Sequence, residues 1–88
     1  MSETVFTVSA ITTYIKRTLE TAYPSVWVEG EVSNYTRHSS GHVYFTLKDD
    51  LAQLSVVMFR SAHQTLSFEL ENGMQVIIGG RISVYEKR

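Results

Sequence analysis

No cysteine occurs in the sequence, so neither a disulfide nor a thiolate zinc site supports the fold. That absence suits a reducing compartment. Proline is reduced to a single residue, Pro24. No stretch approaches the roughly 20 consecutive apolar residues that span a bilayer. The opening residues Met1 to Thr7 lack a basic segment followed by an apolar run. The expectation is a cytoplasmic chain with no membrane contact. An excess of either charge sign is missing as well. The 8 Lys and Arg against 9 Asp and Glu leave a net charge of −1. That balance excludes polyanion binding through bulk charge, so any nucleic-acid contact has to come from a local basic and aromatic surface. What remains is 88 residues with 43% hydrophobic content, enough for one small globular domain and too apolar for disorder.

Val8, Ile11, Ile15 and Leu19 recur at steps of three and four and predict a helix from about Ser9 to Ala22. Ser9 is the expected N-cap, Lys16 and Arg17 the exposed side, and Pro24 lies just past the end. Beyond Pro24 the period becomes two. Val26, Val28, Gly30 and Val32 alternate with Trp27, Glu29, Glu31 and Ser33 in a first strand. A polar loop from about Asn34 to Gly41 follows. In a second strand Val43, Phe45 and Leu47 face one way, and His42, Tyr44, Thr46 and Lys48 the other. Asp49-Asp50 is a turn signal, since Asp side chains bond nearby amides. A third strand covers about Gln53 to Phe59, a short weak helix Ser61 to Phe68, a turn Asn72-Gly73, and a fourth strand about Met74 to Tyr85.

Three strands, a helix and a return to strand is the order of an OB barrel, which needs five strands to close. Four are legible, and the sequence ends at Glu86-Lys87-Arg88, where a turn into a fifth is expected. The expectation is a mainly β protein: an OB-fold (a Greek-key barrel) preceded by an N-terminal α-helix and truncated before the closing fifth strand. Residues 1–24 form a helical segment packing on the barrel, and residues 25–88 the incomplete OB-fold domain. Open strand edges invite pairing, so self-association or strand swapping with a second copy is a further expectation.

The segment Val26-Trp27-Val28-Glu29-Gly30-Glu31-Val32-Ser33-Asn34 resembles the first-strand signature of the exodeoxyribonuclease VII large-subunit family. Ser39-Ser40-Gly41-His42-Val43-Tyr44-Phe45-Thr46-Leu47-Lys48-Asp49 resembles that family's second strand and leading loop. Val57-Met58-Phe59-Arg60, Asn72-Gly73 and Gly79-Gly80-Arg81-Ile82-Ser83-Val84-Tyr85 continue the pattern, and the helix opening Val8-Ser9 fits as well. The resemblance implies an OB-type domain at the front of a larger subunit that feeds single-stranded DNA to a nuclease. It also implies that the catalytic residues and the region binding the small subunits lie in later parts of that subunit.

Single-strand binding needs cations for phosphates and flat rings for unstacked bases. Arg37, His38, Ser39, Ser40, His42, Tyr44 and Lys48 offer both: Arg37 and Lys48 for phosphate, Ser39 and Ser40 as hydrogen-bond donors, His42 and Tyr44 for stacking. Against this stand a solvated loop for Arg37 and His38, and cross-sheet packing for Tyr44. Phe59 is a base platform or packs on the short helix. Arg60 reaches a phosphate or makes a surface ion pair. Arg81 and Tyr85 repeat the cation–aromatic pairing or form an ordinary exposed face. Trp27, beside Glu29 and Glu31, is expected to pack under the N-terminal helix.

Catalysis is not expected. Adjacent Asp49 and Asp50 read as turn residues rather than converging metal ligands. His38, His42 and His63 lack zinc spacing, and no acid is specified to orient a Ser–His pair. No metal or cofactor is expected. The readings in play are a single-stranded-DNA module, a structural or oligomerisation OB domain, and an OB domain gripping tRNA.

Overall fold

The computed structural model describes residues 5–84. In chain order the elements are α1 (Val8–Ala22), β1 (Val26–Arg37), β2 (Val43–Lys48), β3 (Gln53–Met58), α2 (Arg60–His63) and β4 (Gln75–Gly80). They fall into two compact units, residues 5–28 with 79–84, and residues 29–78. The helix therefore shares its unit with the first residues of β1 and the last of β4.

In the first of these units α1 is capped by Thr7 rather than Ser9. The Thr7 backbone is extended (φ −74°, ψ 163°) and its hydroxyl accepts from the Ala10 amide at 3.0 Å. Ser9 already has helical geometry and its hydroxyl sits 3.3 Å from that of Thr7. The cap falls to the residue whose side chain reaches a free amide three positions on, and that is Thr7. The helix ends where Tyr23 N–H bonds the Leu19 carbonyl at 2.7 Å, one residue before Pro24. Ile11 and Leu19 are half-buried, whereas Val8 and Ile15 are exposed, and no residue of α1 is fully buried. Lys16, expected to face solvent with Arg17, is half-buried and lies one turn from Glu20.

Glu20 ties the helix to the segment after β4. Its carboxylate accepts from the Ser83 hydroxyl at 2.6 Å and stands 3.9 Å from Arg81 Nε. The Ser83 hydrogen bond, helped by the weaker charge effects of Arg81 and Lys16, holds the carboxyl below its ordinary value against the opposing effect of desolvation. Trp27 is 78% exposed, its six-membered ring lying against Gly79. The expectation that it packs under the helix is thus not met, because strand alternation turns it away from Val26 and Val28 toward solvent.

The strands form a sheet in the order β3-β2-β1-β4, with β2 antiparallel to both β1 and β3. Alternation along β2 buries Val43, Phe45 and Leu47, and Val32 of β1 and Leu70 join them in the core. Each such side chain contributes roughly 1.5–3 kcal/mol. Gly30 lies under Leu47: a Cβ there would stand 2.8 Å from Leu47 Cγ, so only glycine allows β1 to approach β2 so closely.

Where a loop was expected from Asn34, β1 continues to Arg37. It does so through a bulge: Ser33 faces Thr46, yet the next outward pair is Thr36 with Tyr44, so β1 spends one extra residue. Asn34 takes a left-handed conformation there (φ 52°), which Asn tolerates better than most residues. The phase change turns Tyr35 inward, where its hydroxyl lies 3.4 Å from His63 Nε2. Other boundaries are tighter than the alternation suggested. β3 stops at Met58, α2 is a single turn, and β4 ends at Gly80 although Ile82 and Val84 remain half-buried. Among the described residues the architecture is the expected one: a leading helix and four strands interrupted by a short helix.

Candidate nucleic-acid interface

Cross-strand register sorts the candidate residues. Thr36, Tyr44 and Val57 form one row on the sheet face opposite the core, and Ser33, Thr46 and Ser55 form the next. Glu31, Lys48 and Gln53 end that face. At the other end the β1–β2 connection closes tightly, with His38 N–H bonding the His42 carbonyl and Gly41 N–H the His38 carbonyl, each at 2.9 Å. Alternation places His42 beside Tyr44 on this outer face, as the sequence indicated.

Four rings gather there. His38 meets Tyr44 edge to face with centroids 6.1 Å apart, and His42 meets Phe59 the same way at 5.5 Å. Phe59 remains 57% exposed, so it is a partner of His42 with a free surface rather than a residue buried against α2. Both imidazoles are held at Nδ1. His38 Nδ1 lies 3.4 Å from the Ser40 amide and 3.3 Å from its hydroxyl, and His42 Nδ1 accepts from the Arg60 amide at 2.8 Å. In the neutral rings the proton therefore sits on Nε2, which leaves Nε2–H as the free donor. Ser40 is committed inside the loop, where its hydroxyl also accepts from His42 N–H at 3.4 Å. Ser39 is exposed at the tip.

Arg60 arrives from α2. Its stem lies over Gly41, whose φ of +90° and missing Cβ make room for it: a Cβ would stand 2.6 Å from Arg60 Cδ. Among the described residues no carboxylate pairs with Arg60 or Arg37. Arg37 is exposed at the end of β1, but its cross-strand partner is Val43, so it starts from the face opposite Tyr44.

The remaining candidates are elsewhere. Lys48 is on the outer face at its far end, 3.8 Å from Glu31 and close to Asp49 and Asp50. Asp49 caps the turn to β3 by accepting from the Leu51 and Ala52 amides at 2.8 and 2.9 Å, and these bonds hold its carboxyl below the ordinary value. Arg81 belongs to the other unit, with Glu20. Tyr85 lies outside the described residues. The outer face thus runs from rings and an unpaired arginine at the loop end to acids at the other.

Two site features had no sequence signal strong enough to find them. One is the seat that Gly41 gives Arg60, since Gly41 reads only as a turn residue. The other is the bracing by Tyr35, whose amide donates to Asn72 Oδ1 at 2.9 Å and whose hydroxyl reaches His63. Asn72 reads only as half of a turn.

A small antiparallel sheet that presents Tyr44 and hydroxyl side chains on one face, beside a tight first connecting loop, fits the class of OB-type nucleic-acid-binding domains. Residues 6–88 match the family of OB-fold nucleic acid binding domains, and the chain belongs to that family. It is also similar to proteins named exodeoxyribonuclease 7 large subunit. With that of Bacillus cereus (strain B4264) it is 48% identical over 98% of this chain and 20% of the relative. With that of Halalkalibacterium halodurans it is 49% identical over 93% of this chain and 18% of the relative. The chain therefore spans about a fifth of the length of these curated relatives. No helix among the described residues is long and apolar enough to cross a membrane.

Proposed function

We propose that this domain grips single-stranded DNA and presents it to a nuclease centre carried elsewhere in a large subunit like those it resembles. The observation that supports this most is the outer end of the β1–β2–β3 face, where His38, His42, Tyr44, Phe59 and Arg60 gather without a carboxylate among them. Rings supply sequence-tolerant stacking, and Arg60 supplies a phosphate contact. Ser39 and the Nε2–H groups of both histidines add donors. Arg37 reaches the strand from the opposite rim. Lys48, Arg81 and Tyr85 are secondary members of the same reading, the first two beside acids. The domain itself performs no hydrolysis and needs no metal or cofactor. Its partners are single-stranded DNA, the remainder of the subunit and, through it, small subunits, in the cytoplasm.

Titration into a labelled single-stranded oligonucleotide at low and moderate salt, with duplex as control, tests the proposal. Salt-sensitive binding of the single strand alone is the expected result. Absence of binding at high protein concentration removes DNA recognition from this domain.

A second reading, a structural or oligomerising OB domain, draws on a different observation. β3 is an edge strand that exposes Leu54, and self-pairing along it would cover both its backbone and that side chain. Sedimentation at rising concentration separates the two readings.

A further inference from the structure

His42 reads as a base-stacking ring, but its contacts assign it a different task. α2 is one turn long, and its N-cap, Phe59, has a side chain that accepts nothing. The first amides of any helix lack partners within the helix. Here the Arg60 amide finds one in His42 Nδ1 at 2.8 Å, across 18 residues of sequence. The same imidazole meets the Phe59 ring edge to face at 5.5 Å, and the neighbouring Gly41 carries the Arg60 stem. One ring thus engages both residues that follow β3 and open α2, while the His42 backbone is held in the loop by the His38 amide and the Ser40 hydroxyl.

We infer that His42 is a positioning residue, which caps α2 through the Arg60 amide and so aims the Arg60 guanidinium at the phosphate backbone of a bound single strand. The inference rests on the proposed DNA grip for its ligand, but the capping contact can be read without DNA. A positioning histidine and a stacking histidine differ in what their loss removes. Loss of a stacking ring lowers affinity at every salt concentration alike. Loss of a residue that aims a cation removes that cation's share of the salt dependence, although the neutral imidazole carries no charge.

The experiment compares wild type, His42→Ala, His42→Asn, Arg60→Ala and the His42→Ala/Arg60→Ala double variant. Each is titrated with a labelled oligothymidylate across a salt series, and amide exchange is followed at Arg60 without DNA. Asn is the conservative variant because its Oδ1 accepts a hydrogen bond where His Nδ1 does. In His42→Ala the Arg60 amide is expected to exchange roughly tenfold faster, the loss of one hydrogen bond. Its log–log salt slope is expected to fall by about 0.7, as in Arg60→Ala, with no further fall in the double variant. His42→Asn is expected to restore both protection and slope. An unchanged slope with weaker binding in His42→Ala overturns the inference and makes His42 a base contact. A His42→Asn variant that behaves like Ala overturns it as well. Should wild type leave the oligonucleotide unbound, the DNA grip itself fails, while unaltered Arg60 exchange in His42→Ala refutes the cap independently.

Discussion

The Tyr35 amide donates to Asn72 Oδ1 at 2.9 Å, joining the bulged part of β1 to the turn before β4 across 37 residues of sequence. Gly73 N–H and Met74 C=O, next in that turn, bond the Val32 carbonyl and amide, each at 2.8 Å. The Asn72-Gly73 turn is therefore a clasp on β1 as well as a connection. Asn72→Ala leaves the Tyr35 amide without its partner and is expected to cost about 1 kcal/mol, read as a lower urea midpoint with unchanged slope.

Binding variants should separate into two kinds. Tyr44→Ala removes a stacking surface and is expected to cost about 1–3 kcal/mol of single-strand affinity, with the salt slope intact. Arg60→Ala is expected to lower the slope by about 0.7. Arg37→Ala should do less than Arg60→Ala, since its side chain leaves β1 on the face of Val43. Salt titrations of the three variants check the order.

Gly41→Ala combines two penalties, a side chain at φ +90° and a Cβ driven into the Arg60 stem. The backbone cost alone is about 1–2 kcal/mol. Both lower stability and weaker single-strand binding are expected, measured by thermal melting and by the same oligonucleotide titration.

Glu20 and Asp49 both have carboxyls held below their ordinary values of 4.5 and 3.8. Protonation is thus favoured in the unfolded chain. The stability they contribute is complete above the ordinary values and is lost as pH falls through the lowered ones. Melting temperature should be level with respect to these groups above that range and decline below it. Ser83→Ala, which removes the principal cause of the Glu20 shift, and Asp49→Ala, which removes the other shifted carboxyl itself, should each flatten the decline in melts recorded from neutral pH into the acid range.

Period-two alternation was enough to orient β2 correctly, because one of its faces is wholly buried and the other is not. It was enough for Trp27 as well, as far as direction goes. It could not say that the ring would lie against Gly79 and otherwise face solvent. Alternation fails where hydrogen bonding, not burial, sets the backbone. The bulge at Asn34 depends on a left-handed residue and on a clasp from Asn72, and neither leaves a periodic trace. The same holds for the end of β4, where half-buried Ile82 and Val84 keep the pattern after strand pairing has stopped. In the site, residue types were legible but faces and neighbours were not. Arg37 and Tyr44 looked like one cluster until the extra residue in β1 put them on opposite sides of the sheet. Lys48 reads as a phosphate ligand from its type alone, and its place beside Glu31 at the far end of β2 has no trace in the alternation. Leu70, buried in the core, lies in a stretch too irregular for any period to reveal.

The bulge also divides β1 in inheritance. Up to Ser33, a one-residue insertion or deletion would turn Val32 out of the core and unfold the domain. Beyond Asn34 the count has already been broken once, and the chain's phase is reset by a clasp rather than by the core. Changes in the length of the His38–His42 connection therefore stop at the bulge and leave the barrel wall untouched. A length change there would cost the seat that Gly41 gives Arg60 and the cap from His42, yet spare the alternation that buries Val32.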